Sequence, residues 1–192
     1  GSRPGSVQRY DDRPMSRRER LKALDLDRVL IVDRGNVELA LPGGWTVAPD
    51  QQGHLTCKDP TDSCKLEVSY FALPPLLPNA PSMIERIRLG LEGVADPSTC
   101  SPAVAFRRGR AEFAWTDYAF ASEDTERGEQ REARGRLLLA ANPWFQAVFT
   151  FSYWTDDTAW AVPIWERIVE TIELGDGVPL ETPRDHWSLR DA

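Results

Sequence analysis

The sequence predicts an α+β fold, in which helices pack on a twisted, mostly antiparallel sheet. Three observations predict it. Residues of Gln146–Trp154 alternate between apolar and polar, which is the pattern of a half-buried strand. Apolar residues then recur every three or four positions from Ala161 to Ile172, as on one face of a helix. Most of the other strand-like segments follow one another without a helix between them, which favours antiparallel pairing.

The first predicted elements are a short helix and a β-hairpin. Ser16 can cap a helix that continues to Leu24, with Glu19 at the third position of a capping box. Val29–Val32 and Val37–Leu41 lie on either side of a glycine-containing turn. Two strand-like runs around such a turn predict a hairpin.

A bend and two further strands follow the hairpin. Pro42-Gly43-Gly44-Trp45 combines a residue that cannot donate to a β-ladder with two glycines that allow unusual backbone angles. We therefore expect a bend that directs Trp45 into the core. After the short run Thr46–Ala48, the segments Leu55–Lys58 and Cys64–Leu73 are predicted to be strands.

A proline-rich loop then leads to the middle helix. Four prolines make Leu73–Pro81 unsuitable for a helix, so this segment is predicted to be an ordered loop. Ser82 caps the helix, Glu85 completes its capping box, and Gly93 ends it. The residues expected on its buried edge are Ile84, Ile87 and Leu91.

Four strands and a closing helix complete the predicted domain. The strands are Ala103–Arg107, Ala111–Ser122, Arg131–Ala141 and Gln146–Trp154. Ser122–Gln130 is the hydrophilic tip between the second and third strands, and Asn142-Pro143 makes the turn before the fourth. Pro163 lies either in the first turn of the closing helix or at a kink.

These elements indicate one domain with two polar ends. A chain of 192 residues can form one core that buries about 70% of the surface exposed by its unfolded form. We expect a polar N-terminal segment with a short helix at 1–27, a single α+β domain at 28–175, and a polar C-terminal tail at 176–192.

Composition argues against membrane-spanning and nucleic-acid-binding classes. Hydrophobic residues make up 41% and charged residues 28% of the chain, as in ordinary globular proteins, and no apolar run is long enough to span a bilayer. The net charge of -7 opposes nucleic-acid binding, because phosphates require a basic surface. The basic clusters Arg17–Lys22 and Arg107–Arg110 are better explained as solvated surface.

The N-terminal residues predict a cytoplasmic location. Residues 1–20 are polar and arginine-rich and contain no apolar h-region, so they do not resemble a secretory signal. Gly1-Ser2 looks like the remnant of a cleavage, and a native N-terminus could therefore have been trimmed.

The three cysteines leave several interpretations open. Cys57 and Cys64 flank a segment of turn-forming residues and could be bridged by a disulfide across a hairpin. Two reduced thiols are the favoured interpretation, because no secretory signal is present. A zinc site formed by His54, Cys57, Cys64 and Cys100 is disfavoured, because structural zinc prefers closely spaced cysteine pairs.

The residues that could support catalysis are few. His54 and His186 are the two histidines, and His186 falls in the predicted tail. The acidic residues Asp117, Glu123-Asp124 and Asp156-Asp157 fall at turns and tips, where solvated charge is the ordinary explanation. We therefore expect no catalytic site, no metal and no cofactor.

The tryptophans are the strongest candidates for a binding role. Trp45, Trp115 and Trp165 are expected to lie in the core. Trp154 lies on the polar side of the last strand and Trp144 in a turn, so both are candidate anchors for a partner protein. Alternatively, a further helical layer or the N-terminal segment covers them.

The order of these motifs resembles the PsbP-like fold group, which also includes the Ran-release factor of eukaryotes and chaperones for type VI secretion effectors. The resemblance spans Val37–Leu174. It rests on the Pro42-Gly43-Gly44-Trp45 bend, the helix that follows Leu66–Phe71, the antiparallel run, and the closing strand and helix. It implies a three-layer α/β/α sandwich and, for most members, binding to another protein instead of catalysis. It carries over no functional residue.

Three functions follow as hypotheses. The first is a non-enzymatic protein-binding, chaperone-like or adaptor domain that acts through an aromatic-rich surface, with another protein as its partner. The second is a carrier of a hydrophobic ligand or lipid, with a cavity between sheet and helix. The third is a hydrolase that uses His54, Cys57 or an acidic pair. The sequence predicts no oligomeric state.

Overall fold

The computed structural model describes residues 25–52, 54–73, 80–178 and 186–192. In chain order its elements are β1 (Arg28–Val32), β2 (Val37–Leu41), β3 (Thr46–Pro49), β4 (Leu55–Lys58), β5 (Cys64–Ala72), α1 (Met83–Leu91), β6 (Val104–Arg108), β7 (Ala111–Asp124), β8 (Glu129–Ala141), β9 (Phe145–Trp154), α2 (Thr158–Thr171), β10 (Glu173–Leu174) and β11 (Trp187–Asp191). The predicted α+β fold class is confirmed. The helix predicted at 16–24 and residues 74–79 of the proline-rich loop lie outside the described residues.

The strands form two sheets instead of the single sheet that we expected. The larger sheet has seven strands in the order β3-β4-β5-β9-β8-β7-β6, and the smaller has four in the order β10-β2-β1-β11. All of these neighbours pair antiparallel. The tip between β7 and β8 is shorter than predicted, because both strands continue to the pair Asp124 and Glu129.

The elements stack in three layers. Helix α1 packs on one face of the seven-stranded sheet, and α2 packs with the four-stranded sheet on the other face. The larger core, between the seven-stranded sheet and α2, includes Phe149, Phe151 and Trp165. The smaller core, under α1, includes Ile87 and Tyr118. The α/β/α arrangement is therefore present, with a small sheet added to one outer layer.

The predicted hairpin is formed by β1 and β2, with Val32 opposite Val37. The backbone turns through three residues with positive φ, which are Asp33 (46°), Arg34 (59°) and Gly35 (93°). Asn36 Nδ2 donates to Oδ2 of the buried Asp33 at 2.7 Å. This hydrogen bond supports a turn in which two non-glycine residues adopt the disfavoured left-handed region.

Two of the three tryptophans predicted in the core are there. Trp45 and Trp165 are 4% and 2% exposed. Trp115 is half-buried at the margin of the larger core, so its predicted core position is wrong. Trp115 pairs with Val104, the first residue of the edge strand β6, and therefore lies near the edge of the sheet.

Helix α1 begins with the predicted capping box. Ser82 Oγ accepts from the Glu85 N–H at 3.2 Å, and Glu85 Oε2 accepts from the Ser82 N–H at 2.7 Å. The buried residues are Met83, Ile87 and Leu91. Ile84 is 47% exposed, so its predicted burial is wrong. Both Met83 and Ile84 have helical spacing to Ile87, and only the tilt of the helix on the sheet decides which one is buried.

Helix α2 begins at Thr158, so Pro163 lies in its second turn and not in its first. The predicted apolar face is largely buried, with Ala161, Trp165, Ile168 and Ile172 each at most 2% exposed. Arg108 Nη1 donates to three carbonyl oxygens at the end of this helix, those of Val169 (2.9 Å), Glu170 (3.2 Å) and Ile172 (3.1 Å). Part of the basic cluster at 107–110 therefore caps a helix.

The last strand corrects the predicted C-terminal tail. Residues 187–191 form β11 and pair with the whole of β1, and Trp187 and Leu189 pack against the larger core. At the other end of the described domain, Leu26 is 1% exposed, and the Asp27 carbonyl accepts from the Ala192 N–H at 2.7 Å. The ordered domain thus includes residues that we assigned to both polar ends.

None of the helices in the described residues combines the length and the apolar character needed to cross a membrane.

Candidate functional site

A groove runs along β9, on the face of the seven-stranded sheet that carries α1. Its floor is one face of β9, made up of Gln146, Val148, Thr150, Ser152 and Trp154. The other face of the same strand points into the larger core. Eight residue steps of about 3.4 Å make this floor about 27 Å long. Helix α1 lies over β6, β7 and β8, so the floor on β9 stays open.

The end of the groove near Gln146 is apolar. It is a cavity of about 560 Å³ between α1 and the end of β5. Three exposed apolar side chains stand around it, Phe71 (49%), Leu89 (46%) and Val94 (61%). Arg86 Nη1 of α1 donates to Gln146 Oε1 at 3.2 Å. Clustered exposed apolar side chains around a concave surface are typical of binding sites.

The end of the groove near Trp154 is polar and aromatic. It is a cavity of about 340 Å³, with Phe120 on one side and Lys65 and Glu67 on the other. Lys65 Nζ lies 3.2 Å from Glu67 Oε1, so these two charges are paired. Tyr118 and Thr150 line this cavity and the apolar one, and the two ends therefore form one continuous groove.

A glycine shapes the wall between the two ends. Tyr118 lies directly opposite Gly135 across β7 and β8, and a Cβ on Gly135 would overlap the Tyr118 ring. The Tyr118 ring therefore occupies the space that a side chain on Gly135 would fill. The centroids of the Tyr118 and Phe120 rings are 5.8 Å apart. Burial raises the pKa of Tyr118, so its phenol stays protonated at neutral pH.

Trp154 is held in place by an arginine. The Arg131 guanidinium lies 4.5 Å from the Trp154 ring centroid, with Nη1 2.6 Å from Asp124 Oδ2 and Nη2 3.3 Å from Asp156 Oδ2. The hydrogen bond from Arg131 is the main reason that the pKa of Asp124 is lowered. Cation–π contact and two ion pairs fix the indole at one end of the groove floor.

Trp144 lies at the other end of the same strand. It is 54% exposed and directly precedes β9. The Trp144 carbonyl accepts from the Leu73 N–H at 2.9 Å, and the Trp144 N–H donates to Asn142 Oδ1 at 2.8 Å. The two tryptophans singled out from the sequence therefore do not form one cluster. Trp154 lines the groove, and Trp144 lies beyond its apolar end, next to Leu73.

The cysteines Cys57 and Cys64 are free thiols buried in the larger core. Cys57 lies opposite Leu66, two residues from Cys64 on β5, so the two cysteines are diagonal neighbours instead of a facing pair. Burial raises the pKa of Cys57 to about 12, and burial together with the charge of Asp59 raises that of Cys64. Thiols that remain protonated are poor nucleophiles and poor metal ligands.

The residues of the alternative zinc site do not converge. Cys57 and Cys64 lie on one side of the seven-stranded sheet, and Cys100 packs against the smaller core on the other. His54 Nδ1 lies 3.4 Å from Asp50 Oδ2 at the surface. Among the residues described, no group of three or more His, Cys, Asp or Glu side chains is placed to hold a metal ion.

The acidic residues considered for catalysis take part in separate ion pairs. Asp117 Oδ1 lies 2.6 Å from Arg136 Nε, on the sheet face opposite the groove. Asp124 and Asp156 both pair with Arg131. His186 is exposed, and its carbonyl accepts from the Asp33 N–H at 2.6 Å. The described structure brings neither histidine to these carboxylates.

Sequence reasoning missed most of the groove. Phe71, Leu89 and Tyr118 carry no local signal that separates an exposed apolar side chain from a buried one. Gly135 does carry one, because a glycine inside a strand often marks a close approach by a neighbouring group. Its register opposite Tyr118 was needed to identify that group.

Comparison with known proteins places the chain in a family. The sequence profile of the Alr1449 family matches residues 28–178. The chain belongs to the Alr1449 family. It is 28% identical over 162 residues to the uncharacterized protein alr1449 of Nostoc sp. strain PCC 7120, an alignment that covers 81% of each protein.

Solved structures share the fold of this Alr1449-family chain. The solution structure of cyanobacterial PsbP (CyanoP) from Synechocystis sp. PCC 6803 superposes with a TM-score of 0.59 at 12% identity, over 78% of this chain and 94% of CyanoP. A crystal structure from Bacteroides thetaiotaomicron VPI-5482 superposes with a TM-score of 0.53 at 15% identity, over 79% of this chain and 49% of that protein. The predicted resemblance to the PsbP-like fold group is confirmed at the level of the fold.

Proposed function

We propose that this Alr1449-family domain is a non-enzymatic adaptor that binds an extended segment of a partner protein in the groove along β9. The observation that carries the proposal is the continuity of the groove, which joins exposed apolar side chains at one end to a fixed tryptophan at the other. At about 3.4 Å per residue, a floor of about 27 Å matches about eight residues of extended chain.

The apolar end supplies the main attraction. Phe71, Leu89 and Val94 are each about half exposed, and an apolar side chain of the partner would cover all three. Full burial of such a side chain contributes about 1.5–3 kcal/mol, so covering the exposed halves of three contributes about 2–4 kcal/mol. Trp144 is exposed and is bonded through its backbone to Leu73, which lines this end, so a partner that extends beyond the groove would meet it.

The polar end supplies register and orientation. Thr150 and Ser152 lie on the groove floor, where their hydroxyl groups can accept and donate hydrogen bonds to a partner backbone. Trp154 is a suitable anchor because Arg131 already holds it in place, so little side-chain entropy is lost on binding. A partner segment with an apolar residue towards Phe71 and polar residues towards Trp154 fits this arrangement.

The chemistry of the groove supports binding over hydrolysis. Lys65 and Glu67 neutralise each other, and Tyr118 stays protonated at neutral pH. Covalent hydrolysis needs a nucleophile next to an available base. The carboxylates that line the groove, Glu67 and Asp62, are each paired with a lysine.

A peptide library tests the proposal. We would select binders from phage-displayed peptides of about twelve residues and measure their affinity for the wild-type domain by calorimetry. Val148→Arg places a charge on the groove floor, and Trp154→Ala and Trp144→Ala remove the two anchors. We expect each variant to weaken binding about tenfold or more, as is usual for an interface centre or an aromatic anchor.

The matched control is Trp160→Ala. Trp160 is 37% exposed on α2, on the opposite side of the seven-stranded sheet from the groove, so its loss should leave affinity unchanged. Circular dichroism of each variant would show that the fold is retained. Selection of no peptide, or equal affinity for the wild type and Val148→Arg, would contradict the proposal.

A further inference from the structure

We propose that the domain has a second binding site, for a small uncharged apolar molecule, in a cavity on the other side of α1 from the groove. The cavity has a volume of about 620 Å³. It is bounded by Ile84 and Ile87 of α1 and by Cys100, Ala103 and Thr116 of the facing loop and β7. Sites for small molecules usually measure about 300–1,000 Å³, so this one can hold a whole ligand.

The cavity wall opposite α1 is attached to the sheet. Ser101 N–H donates to the Asp117 carbonyl at 2.9 Å, and Thr99 Oγ1 donates to the Ala119 carbonyl at 3.2 Å. These two bonds attach the far part of the 95–103 loop to β7, whereas the first residue of the loop is bonded to the end of α1. The sheet therefore holds the cavity wall that lies opposite the helix.

The Thr116 hydroxyl and the two charged side chains of the cavity already have partners. Thr116 Oγ1 donates to the Ser101 carbonyl at 2.6 Å, and Arg88 Nη1 lies 2.9 Å from Glu92 Oε1 at the rim. A charged ligand would lose its hydration and find no counter-charge that is not already paired. An uncharged apolar molecule loses little on entry and gains contact with the aliphatic side chains of α1.

Ile84 supports the same conclusion. It has the spacing of a buried helix residue, yet it is 47% exposed where α1 borders the cavity. A bound apolar molecule would cover it. The inference concerns a surface separate from the β9 groove, because α1 lies between the two.

Cys100 makes the site measurable. It is partly buried and lines the cavity, whereas Cys57 and Cys64 are buried in the larger core. Alkylation of native protein by N-ethylmaleimide, followed by intact-protein mass spectrometry, therefore reports on access to the cavity. We would use 1-decanol as the probe and decanoate as its charged counterpart.

We expect saturable protection by 1-decanol, with alkylation of Cys100 slowed about tenfold once its concentration is about ten times Kd. Decanoate should protect much less. Ala103→Phe fills the cavity and should abolish the effect of 1-decanol. Val148→Arg, which blocks the groove, should leave it unchanged, so failure of this inference and failure of the proposed function are distinguishable.

A measurement on the wild type tests the inference without depending on the fold of the Ala103→Phe variant. In methyl NMR spectra, 1-decanol should shift the signals of Ile84 and Ile87 and leave Ile168 in the larger core unmoved. No saturable protection, protection that persists in Ala103→Phe, or equal protection by decanoate would overturn the inference.

Discussion

At the scale of single residues, two arginines of β8 each contact an aromatic ring and a carboxylate. Arg131 lies over Trp154 and pairs with Asp124, and Arg136 lies 5.2 Å from the Trp115 ring centroid and pairs with Asp117. The Arg131 and Arg136 side chains are 14% and 11% exposed. Ion pairs so little exposed hold their geometry better than surface pairs, which contribute about 0–1 kcal/mol. Residue types alone predict neither pair, because strand register brings the partners together.

The buried thiols predict a dependence of stability on alkaline pH. Burial raises the pKa of Cys57 to about 12 and also raises that of Cys64. In the unfolded chain both thiols ionise near pH 8.5. Above that pH the unfolded state binds fewer protons than the folded state, so the free energy of unfolding falls as pH rises. We expect a loss of about 2 kcal/mol per thiol between about pH 8.5 and about pH 10.

Urea unfolding at about pH 7.5 and about pH 10 would measure this loss. The double variant Cys57→Ala/Cys64→Ala should show a smaller decrease than the wild type, whatever its stability at neutral pH. Cys100→Ala should retain the full decrease. Equal decreases in the wild type and the double variant would show that these thiols do not set the pH dependence.

At the scale of elements, the start of α1 and the end of α2 are capped by residues at very different distances along the chain. The capping box of α1 uses Ser82 and Glu85, three residues apart, and was predicted from the sequence. The carbonyls at the end of α2 are capped by Arg108, more than sixty residues earlier in the chain. The tertiary fold brings the Arg108 side chain to the end of α2, so no sequence pattern near α2 indicates this second cap.

Arg108→Met should therefore destabilise the domain although it changes a residue of an edge strand. The variant loses three charge-assisted hydrogen bonds and the contact of the guanidinium with the Phe113 ring at 5.3 Å. We expect a decrease of about 1–3 kcal/mol in the free energy of unfolding, measured in urea. The control is Arg107→Met, which breaks only an exposed pair with Glu112 and should cost about 0–1 kcal/mol. Similar losses in both variants would argue against the cap.

At the scale of the whole molecule, the four-stranded sheet joins the two ends of the described domain. Arg28 at the start of β1 lies opposite Asp191 at the end of β11. The sheet closes one outer side of the larger core, where β2 packs against α2. The C-terminal residues are therefore part of the fold and not an accessory tail.

Removal of residues 186–192 tests this role. The truncated chain loses the cross-strand hydrogen bonds of β11 and the packing of the half-buried Trp187 and Leu189. Full burial of a large apolar side chain contributes about 1.5–3 kcal/mol, so we expect a loss of about 2–3 kcal/mol and a lower Tm. Ser188→Ala, which changes a β11 side chain and keeps the strand, is the control. An unchanged Tm after truncation would mean that β11 does not stabilise the domain.

The fold class and most strand boundaries followed from the sequence, because alternation and helical spacing are local properties that depend on which side chains avoid water. The same patterns placed Trp154 on the polar face of β9 and put Trp45 and Trp165 in the core. Tertiary structure decided the rest. The split into two sheets, the exposure of Ile84, the strand at 187–191 and the joining of Phe71, Tyr118 and Trp154 along one groove all depend on contacts between residues distant in the chain, and a pattern within one segment cannot encode which distant segment will cover it.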